Sequence, residues 1–361
     1  MRESNPSVPK YQIARDYILN FIQNKDIPAH DRIPSESEFI DKLGVSSITV
    51  RRALAELVDE GVIYRIKGKG SFISDQKPTN QTRSKLITFV LSGNEMYDNS
   101  YIQIIKGVQS YLSEHDYKLI IEFIENNIDQ EIELVKKLIQ TDCGGLLIYS
   151  SDPEAAKEYL KDIQLKRLPV VLLDRFPMGI PLPCITCNNH DGAYEAVKYL
   201  IDLGHTKIGF SAYDFFLNSE KERYLGYQHA MMNANLSTDS TIFFEERNLN
   251  YKELVTEIKK GCLTALFCVN DRRALEVIDQ LTKMGISIPQ DISIIGFDDL
   301  ESSKYAKISL STVKQHFDIL GYEAAKLLLD IHKNTQIEPK KVLLPTSLII
   351  RESTASPSKI E

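Results

Sequence analysis

Residues 33–73 read IPSESEFIDKLGVSSITVRRALAELVDEGVIYRIKGKGSFI, and this stretch decides the fold of the amino-terminal part of the chain. Ser35 and Glu38 have the spacing of a capping box, in which each side chain accepts a hydrogen bond from the other residue's backbone amide. Gly44 suits the left-handed position that ends a helix, and Ser46 is a candidate N-cap for the next helix. The stretch therefore predicts two helices joined by a tight turn.

The sequence on both sides completes a small domain. Residues 9–24 carry apolar side chains at helical spacing, which predicts a first helix. After Gly61, residues 62–66 and 71–73 have strand character and flank the glycine-rich segment 67–70. Three helices followed by a hairpin form a winged helix-turn-helix domain. We expect it to cover residues 1–75, with a polar linker at residues 76–85.

The third helix has two different faces. Its apolar stripe predicts packing against a scaffold, whereas Ser47, Thr49, Arg51 and Arg52 lie mostly off that stripe. A helix whose outward face carries hydrogen-bond donors can read the major groove, and a hairpin tip with Lys67 and Lys69 can approach phosphates. A basic helix face is also compatible with simple solvation. The Gly-Lys-Gly segment lacks the following helix of a nucleotide-binding loop.

Residues 33–73 closely resemble the DNA-binding domain of the GntR family, which shares the Pro-Ser-Glu, Val-Ser, Thr-Val-Arg and Gly-x-Gly motifs. The resemblance implies that Ser47, Ile48 and Arg51 contact bases, although a basic residue is common in the family where this chain has Ser47. It also implies a wing-tip contact at Lys67 and Gly68. The complete set of candidate DNA-binding residues is Glu36, Ser46, Ser47, Ile48, Thr49, Arg51, Arg52, Lys67, Gly68 and Lys69.

Composition and charge restrict the class of protein. The chain has 361 residues, a net charge of −7 and five cysteines. Residues 1–85 carry 14 basic and 11 acidic side chains, so a basic domain is followed by an acidic one. No apolar run reaches the roughly 18–20 residues needed to span a bilayer, and the first residues lack the apolar segment of a secretory signal. The sparse cysteines argue against a disulfide framework and favour a reducing cytoplasm.

The rest of the chain alternates between two patterns. Apolar runs predict strands at residues 86–91, 118–124, 145–149, 170–173, 208–210, 265–269 and 292–295. Amphipathic stretches predict helices at residues 102–113, 132–139, 192–203, 225–233 and 274–284. Such alternation is typical of doubly wound α/β architecture with parallel sheets. A segment this long exceeds one ordinary core, so we expect two lobes that share a cleft.

Polar pairs follow three of the predicted strands: 174–175, 270–271 and 298–299. Ligands of such folds bind beyond the carboxyl ends of the strands. Each pair taken alone could be a helix cap or a turn, but their repeated placement predicts a cleft for a polar ligand. Because the chain lacks tryptophan, an aromatic platform must use tyrosine or phenylalanine, and Tyr101 and Phe216 are candidates.

Sequence motifs of enzymes and metal sites are lacking. The chain has no phosphate-binding loop, no zinc-binding helix, no nucleophile elbow and no dinucleotide fingerprint. We therefore expect neither an enzyme nor a cofactor. Cys184, Cys187 and His190 have the spacing of a metal trio, but without a second ligand pair the cysteines favour a short buried strand. His205 favours a structural role in a loop over that of a general base.

Residues 86–361 resemble the effector domain of the LacI/GalR family. The matching motifs are VVLLDR at 170–175, LGHTKIGF at 203–210, ERYLGY at 222–227, IPQDISIIGFDD at 288–299 and REST at 351–354. The resemblance implies two lobes joined by three crossings of the chain, as in periplasmic sugar-binding proteins. It implies effector contacts at Arg223, Asn270, Asp298 and Gln315, with Arg175 and Tyr101 as further candidates.

A GntR-type domain joined to a LacI-type domain resembles the arabinose repressors of Gram-positive bacteria. The combination implies a cytoplasmic, sugar-responsive repressor that binds a palindromic operator as a homodimer, with L-arabinose as the leading effector. Alternatives keep the architecture but use another sugar, a phosphorylated sugar or a co-repressor. Two rivals from other classes are a regulator fused to an enzyme and a sugar-binding protein of a transport system.

Overall fold

The computed structural model describes residues 10–24, 27–59, 61–74, 84–93, 99–141, 143–166, 168–213, 217–238, 250–333 and 340–358. The chain forms two compact units, residues 1–83 and 84–361. Residues 76–83 of the expected linker and the candidate Phe216 lie outside the described residues. Among the described helices, none is both long enough and apolar enough to cross a membrane.

The first unit is a winged helix-turn-helix domain, as predicted. Its helices are α1 (Lys10–Asn24), α2 (Glu36–Leu43) and α3 (Ser47–Asp59), and its antiparallel hairpin consists of β1 (Ile63–Ile66) and β2 (Gly70–Ile73). Apolar side chains from all three helices and the hairpin form one core, whose fully buried members include Ile18, Phe39, Leu54, Leu57 and Ile63. This core sets the outward face of α3.

Local signals around α2 form as the sequence predicts. The backbone amide of Ser35 donates to Glu38 Oε2 at 2.7 Å, and the amide of Glu38 donates to Ser35 Oγ at 3.4 Å. Gly44 ends the helix at φ 62°, where a side chain would be strained. Its amide donates to the carbonyl of Ile40 at 2.9 Å. The capping box and the glycine together fix the turn between α2 and α3.

The second unit alternates strands and helices. Its strands are β3 (Leu86–Gly93), β4 (Lys118–Glu125), β5 (Gly145–Tyr149), β6 (Val170–Leu173), β7 (Cys184–Cys187), β8 (Ile208–Ser211), β9 (Ala265–Cys268), β10 (Ser293–Asp298), β11 (Ser311–Lys314), β12 (Lys341–Leu344) and β13 (Ser347–Ile349). Its helices are α4 (Asn99–Glu114), α5 (Ile128–Leu138), α6 (Lys157–Lys166), α7 (Asn189–Asp202), α8 (Asn218–Asn233), α9 (Tyr251–Lys259), α10 (Asp271–Lys283), α11 (Glu301–Tyr305) and α12 (Phe317–Lys333).

The strands form two sheets, one in each lobe. The first lobe has a six-stranded parallel sheet in the order β12-β7-β6-β5-β3-β4. The second lobe has a five-stranded sheet in the order β13-β11-β10-β9-β8, in which only β13 is antiparallel to its neighbour. The chain crosses between the lobes after β7, after β11 and between β12 and β13. The expected fold, two doubly wound lobes with three crossings, is confirmed.

Two glycines allow α4 and α12 to cross closely on the first lobe. A Cβ atom at Gly107 would lie 2.0 Å from the carbonyl oxygen of Asp318, and one at Gly321 would lie 2.1 Å from that of Ile104. Both contacts are with backbone, which does not yield as a flexible side chain would. The crossing therefore needs glycine at both positions.

The sequence pattern missed several elements and misplaced others. It did not predict α6, α9, α11 or α12, nor the late strands β11, β12 and β13. It also began α8 at residue 225, whereas the helix begins at Asn218. The first turns of α8 bury polar side chains, Ser219, Glu220 and Arg223, and so break the apolar periodicity that predicts a helix.

Candidate functional site

The outward face of α3 presents a charged network that the sequence only partly predicts. Glu36, on α2, accepts hydrogen bonds from Arg51 Nε at 2.9 Å and from Arg65 Nη2 at 2.8 Å. The hydrogen bond from Arg51, together with the charge of Arg65, holds the pKa of Glu36 below its ordinary value. Glu36 thus joins the third helix to the hairpin, because Arg65 belongs to β1.

Some candidate DNA-binding residues have partners inside the domain. Ser46 Oγ accepts from the amide of Thr49 at 3.3 Å and lies 2.8 Å from the Thr49 hydroxyl, so these two residues cap α3. The Arg52 guanidinium lies 3.8 Å from the centre of the Tyr11 ring on α1. Arg51, bonded to Glu36, and Arg52 nevertheless keep 66% and 61% of their side chains exposed, and Ile48 is 77% exposed. All three side chains therefore remain accessible to a partner.

The hairpin tip is open and basic. Lys67, Gly68 and Lys69 are all exposed. Gly68 adopts φ 78°, and a Cβ atom there would meet nothing within 4 Å. The amide of Lys69 donates to the carbonyl of Ile66 at 2.9 Å and closes the turn. The tip can therefore approach a nucleic-acid backbone without steric hindrance.

The second unit has a polar cleft between its lobes at the carboxyl ends of the strands. The empty space there is about 550 Å³, counting the part open to solvent. All six residues that the sequence analysis named as effector contacts line it, and eight others join them. The lining residues are Ser100, Tyr101, Tyr149, Asp174, Arg175, Leu217, Ser219, Glu220, Arg223, Asn270, Arg272, Asp298, Gln315 and Phe317.

Arg223 is held rigidly at the floor of the cleft. Its Nε donates to Asn189 Oδ1 at 2.8 Å, and its Nη1 donates to the carbonyl of Val269 at 2.7 Å. The guanidinium stacks 3.9 Å above the centre of the Phe297 ring and lies 3.4 Å from Asp298 Oδ1. Contacts on several sides of one planar group fix its orientation and make it a preorganised donor.

Asp298 is the central acceptor of the cleft. Gln315 Nε2 donates to its Oδ1 at 2.7 Å. The pKa of Asp298 is raised to about 7, mainly by burial and also by the nearby Asp271, whereas Arg223 opposes the shift. The backbone of Asp298 lies at φ 125°, which few residues other than glycine adopt. Such strain persists only where the surroundings enforce it.

Asp271 holds the backbone around Asp298 in this conformation. This fully buried carboxylate accepts from the amide of Leu300 at 2.9 Å, from Ser303 Oγ at 2.6 Å and from Thr312 Oγ1. The amide and the serine belong to the loop and helix directly after Asp298. Asp271 therefore pins the segment in which Asp298 is presented to the cleft.

Arg175 lies on the first-lobe side of the cleft. Its guanidinium is 4.6 Å from the centre of the Tyr149 ring, and its Nη1 donates to the carbonyl of Ser150 at 3.1 Å. Tyr101 packs edge-on against Tyr149 with ring centres 5.6 Å apart. Both tyrosines are buried, so they form a wall of the cleft rather than an open platform.

Two buried polar atoms of the cleft, Arg175 Nε and Gln315 Oε1, have no hydrogen-bond partner in the part of the chain that the structure describes. Since buried polar groups are almost always satisfied, a donor and an acceptor that both line one cleft indicate a ligand with hydroxyl or carbonyl groups. Asn270 is already engaged through its oxygen, which accepts from the amide of Arg273 at 2.9 Å and caps α10. Its side-chain amide nitrogen would be the atom that serves a ligand.

Several residues of the cleft are not predicted by the sequence pattern. Glu220 is 8% exposed, and burial raises its pKa although Arg223 and Arg175 oppose the shift. Ser100 and Ser219 lie in the first turns of α4 and α8. The sequence signal for these residues is the run of polar side chains just before the predicted helices at 102–113 and 225–233. Such a run indicates that the helix begins earlier, with a first turn whose buried face is polar.

The cysteines and histidines have structural surroundings. Cys184 and Cys187 are buried on β7, where burial raises the pKa of both thiols, while His190 bonds Asp191 and His229 at the surface. Across the described ranges, no three potential ligands gather as a metal site would require. His205 is buried between the Thr264 hydroxyl at 2.9 Å and the Ala355 carbonyl at 2.8 Å, as a structural histidine would be.

Comparisons with known proteins match both units. Residues 10–73 match the bacterial regulatory proteins of the gntR family, and residues 197–354 match the periplasmic binding protein-like domain. The arabinose metabolism transcriptional repressor of Geobacillus stearothermophilus is 28% identical over 96% of this chain and 98% of its own length. The transcriptional repressor PurR of Vibrio vulnificus is 28% identical over 86% of this chain and 95% of its own length.

Solved structures share the fold. The transcriptional regulator CelR in complex with cellobiose superposes with a TM-score of 0.66 at 24% identity, covering 86% of this chain and 91% of that one. A LacI family regulator from Enterococcus faecium with bound ribose superposes with a TM-score of 0.65 at 23% identity, covering 76% of this chain and 100% of that one. The chain therefore joins a winged helix-turn-helix domain that matches the bacterial regulatory proteins of the gntR family to a unit that matches the periplasmic binding protein-like domain.

Proposed function

We propose that this protein is a transcriptional repressor that binds operator DNA through its first unit and is released when a monosaccharide binds the cleft of its second unit. One observation carries the sugar-binding half of this proposal. The cleft combines Arg223 and Asp298 with Arg175 and Gln315, whose Nε donor and Oε1 acceptor have no partner among the described residues, and hydroxyl groups of a ligand would complete this pattern. Both matched domains are regulatory or binding domains, and we propose no catalytic activity.

L-Arabinose is the first candidate effector. Two arabinose metabolism repressors match 96% of the chain at 28% and 26% identity, and the match extends through both units. The cleft is lined by three acidic and three basic side chains, and Arg223 already pairs with Asp298. This balance favours a neutral sugar over a phosphorylated one. A different sugar, a phosphorylated sugar or a co-repressor role would each keep the same architecture.

Operator recognition falls to the exposed side of α3 and the hairpin tip. We propose base contacts from Ser47, Ile48 and Arg51 and backbone contacts from Lys67 and Lys69. The remaining candidates support this surface: Glu36 orients Arg51, Ser46 and Thr49 cap the helix, and Arg52 braces α1. A homodimer would place two such surfaces on the half-sites of a palindromic operator.

The lobes offer a means of coupling the two sites. Contacts beside the cleft join them, including Lys341 to Glu222 at 2.7 Å, the amide of Phe176 to Asn218 Oδ1 at 3.1 Å and Asn99 to Glu301 at 2.8 Å. A sugar that bridges the lobes would favour one set of these contacts and so one spacing of the DNA-binding units. By linkage, the sugar must weaken DNA binding by the same factor by which DNA weakens sugar binding.

A two-step experiment tests the proposal. A thermal-shift screen with pentoses, hexoses and their phosphates identifies the ligand, since a ligand at 100 times its dissociation constant adds about 2.7 kcal/mol to native stability. An operator titration with and without L-arabinose then measures release. If no sugar or sugar phosphate stabilises the protein, the cleft is not a sugar site. If a sugar stabilises it and tightens operator binding, the ligand is a co-repressor.

A further inference from the structure

Glu131 is a fully buried acidic residue in the first lobe, away from the lining of the cleft. It belongs to the first turn of α5, and its exposed fraction is 0%. In the described part of the chain, no lysine, arginine or histidine forms an ion pair with it. Burying a carboxyl group costs free energy unless hydrogen bonds compensate. The hydrogen-bond partners of Glu131 therefore indicate its role.

Most of the hydrogen-bond partners of Glu131 lie in one loop, directly after β5. Glu131 Oε1 accepts from Ser150 Oγ at 2.5 Å and from the Tyr159 hydroxyl at 2.6 Å. Its Oε2 accepts from the amide of Ser151 at 3.2 Å. Ser150 and Ser151 directly follow β5, and the amide of Asp152 in turn donates to Ser150 Oγ at 3.2 Å. The position of Glu131 near the amino terminus of α5 adds a favourable interaction with the helix dipole.

The same loop holds Arg175 in the cleft. The carbonyl of Ser150 accepts from Arg175 Nη1 at 3.1 Å, and the ring of Tyr149, the preceding residue, lies 4.6 Å from the guanidinium. Both contacts depend on the path of the chain at the end of β5. Glu131 holds this part of the chain in place, because it accepts hydrogen bonds from the Ser150 hydroxyl and the Ser151 backbone amide. A continuous set of hydrogen bonds therefore runs from Glu131 through Ser150 to Arg175.

We propose that Glu131 is a positioning residue for the effector, which acts through the Ser150 carbonyl to orient Arg175 toward the ligand. The inference rests on the proposed function, because it requires that Arg175 contacts the sugar. It extends that function to a residue without access to the cleft. A purely structural Glu131 would stabilise the first lobe without a specific effect on the ligand.

The variant Glu131→Gln tests the idea with little change in volume. Its amide nitrogen would replace one acceptor oxygen: facing the Ser151 amide it would lose that hydrogen bond, and facing the Ser150 and Tyr159 hydroxyls it would reverse the direction of both bonds and remove their charge. Isothermal titration calorimetry with L-arabinose on the full chain should show a dissociation constant about tenfold higher, which corresponds to about 1.4 kcal/mol. Operator affinity without sugar should change less than twofold.

Two further variants separate positioning from stability. Tyr159→Phe removes a hydrogen bond to the same carboxyl group but leaves the loop bonds in place, so it should lower the melting temperature without changing sugar affinity more than twofold. Ser150→Ala breaks the same connection from the loop side. It should reproduce the tenfold loss even if Glu131→Gln fails to fold.

A double-mutant cycle gives the decisive readout. In an Arg175→Ala background, Glu131→Gln should change the dissociation constant less than twofold, because the group through which it acts is gone. A tenfold loss in both backgrounds would overturn the proposal, as would an unchanged affinity of Glu131→Gln or Ser150→Ala for the sugar. If the wild-type protein does not bind L-arabinose, the proposed effector is wrong, and the same cycle with the sugar found in the thermal-shift screen decides the role of Glu131.

Discussion

Gln315 donates a hydrogen bond from its side-chain nitrogen to Asp298 at 2.7 Å, and this bond joins a crossing between the lobes to the central acceptor of the cleft. Gln315 lies between β11 and α12, where the chain leaves the second lobe for the first. Any ligand that bonds Asp298 or Gln315 Oε1 thus contacts a segment that connects the two lobes.

Asp298→Ala should separate operator binding from release. Loss of a charge-assisted hydrogen bond costs about 1.5–3 kcal/mol, so sugar affinity should fall roughly tenfold to a hundredfold. Operator affinity without sugar should stay unchanged, because Asp298 is in the second unit. An operator titration of both proteins with and without L-arabinose measures this. Equal release of the wild type and the variant would remove Asp298 from the effector contacts.

The stability of the second unit should depend on the ionisation of Asp298. Its pKa of about 7 in the folded state exceeds the ordinary value of 3.8, so the folded state holds the proton more tightly than the unfolded state. The stability that protonation of Asp298 contributes to the folded state is therefore present at low pH and is lost as the pH rises from about 4 to about 7.

Urea unfolding between pH 4 and pH 8 measures this dependence against Asp298→Asn, which cannot ionise. Burial also raises the pKa of Asp271 and Glu220, so only the difference between the two proteins reports on Asp298. We expect the wild type to lose more stability than the variant over this range, by at most ~4 kcal/mol. Parallel curves would show that Asp298 titrates at its ordinary value.

Arg51→Ala should reduce sequence discrimination while the domain stays folded. The side chain is 66% exposed, so its removal leaves the core of the first unit intact, and loss of a base contact costs about 1–3 kcal/mol. Gel-shift titrations compare the operator with scrambled DNA. Arg52→Ala serves as a control, because Arg52 lies against Tyr11. Full discrimination by Arg51→Ala would contradict the assignment.

Lys69→Ala should weaken binding to all DNA by a similar factor. The lysine lies at the exposed tip of the hairpin, where it can neutralise a phosphate but has no defined position from which to read a base. The slope of log affinity against log salt should fall by about one. Lys67→Ala should behave in the same way. A loss confined to the operator sequence would instead indicate base reading by the wing.

Residues 84–361 should bind sugar and dimerise without the first unit. Each unit has its own apolar core, and the division falls between residues 83 and 84. Calorimetry with L-arabinose and analytical ultracentrifugation of the fragment test both properties. A fragment that folds but binds only when joined to residues 1–83 would show that the cleft depends on the first unit.

The sequence alone determined the winged helix and the α/β character of the rest, because both follow from short-range signals. The capping box at Ser35 and Glu38, the left-handed Gly44 and the alternation of apolar runs act over a few residues. Polar pairs after predicted strands also placed Asn270 and Asp298 together, since parallel strands end at the same edge of a sheet. Arg175 follows a strand of the other sheet, and it meets them because the strand ends of both lobes face one cleft.

Tertiary structure decided which other residues complete the cleft and what holds them. Glu220 and Ser100 enter it from helix turns whose buried face is polar, which erases the periodicity that would have revealed those turns. Asp271 meets Thr312 at a separation of 41 residues and Glu131 meets Tyr159 at 28. Such partners share no local pattern, because their hydrogen bonds exist only once distant strands and helices have packed together and excluded water.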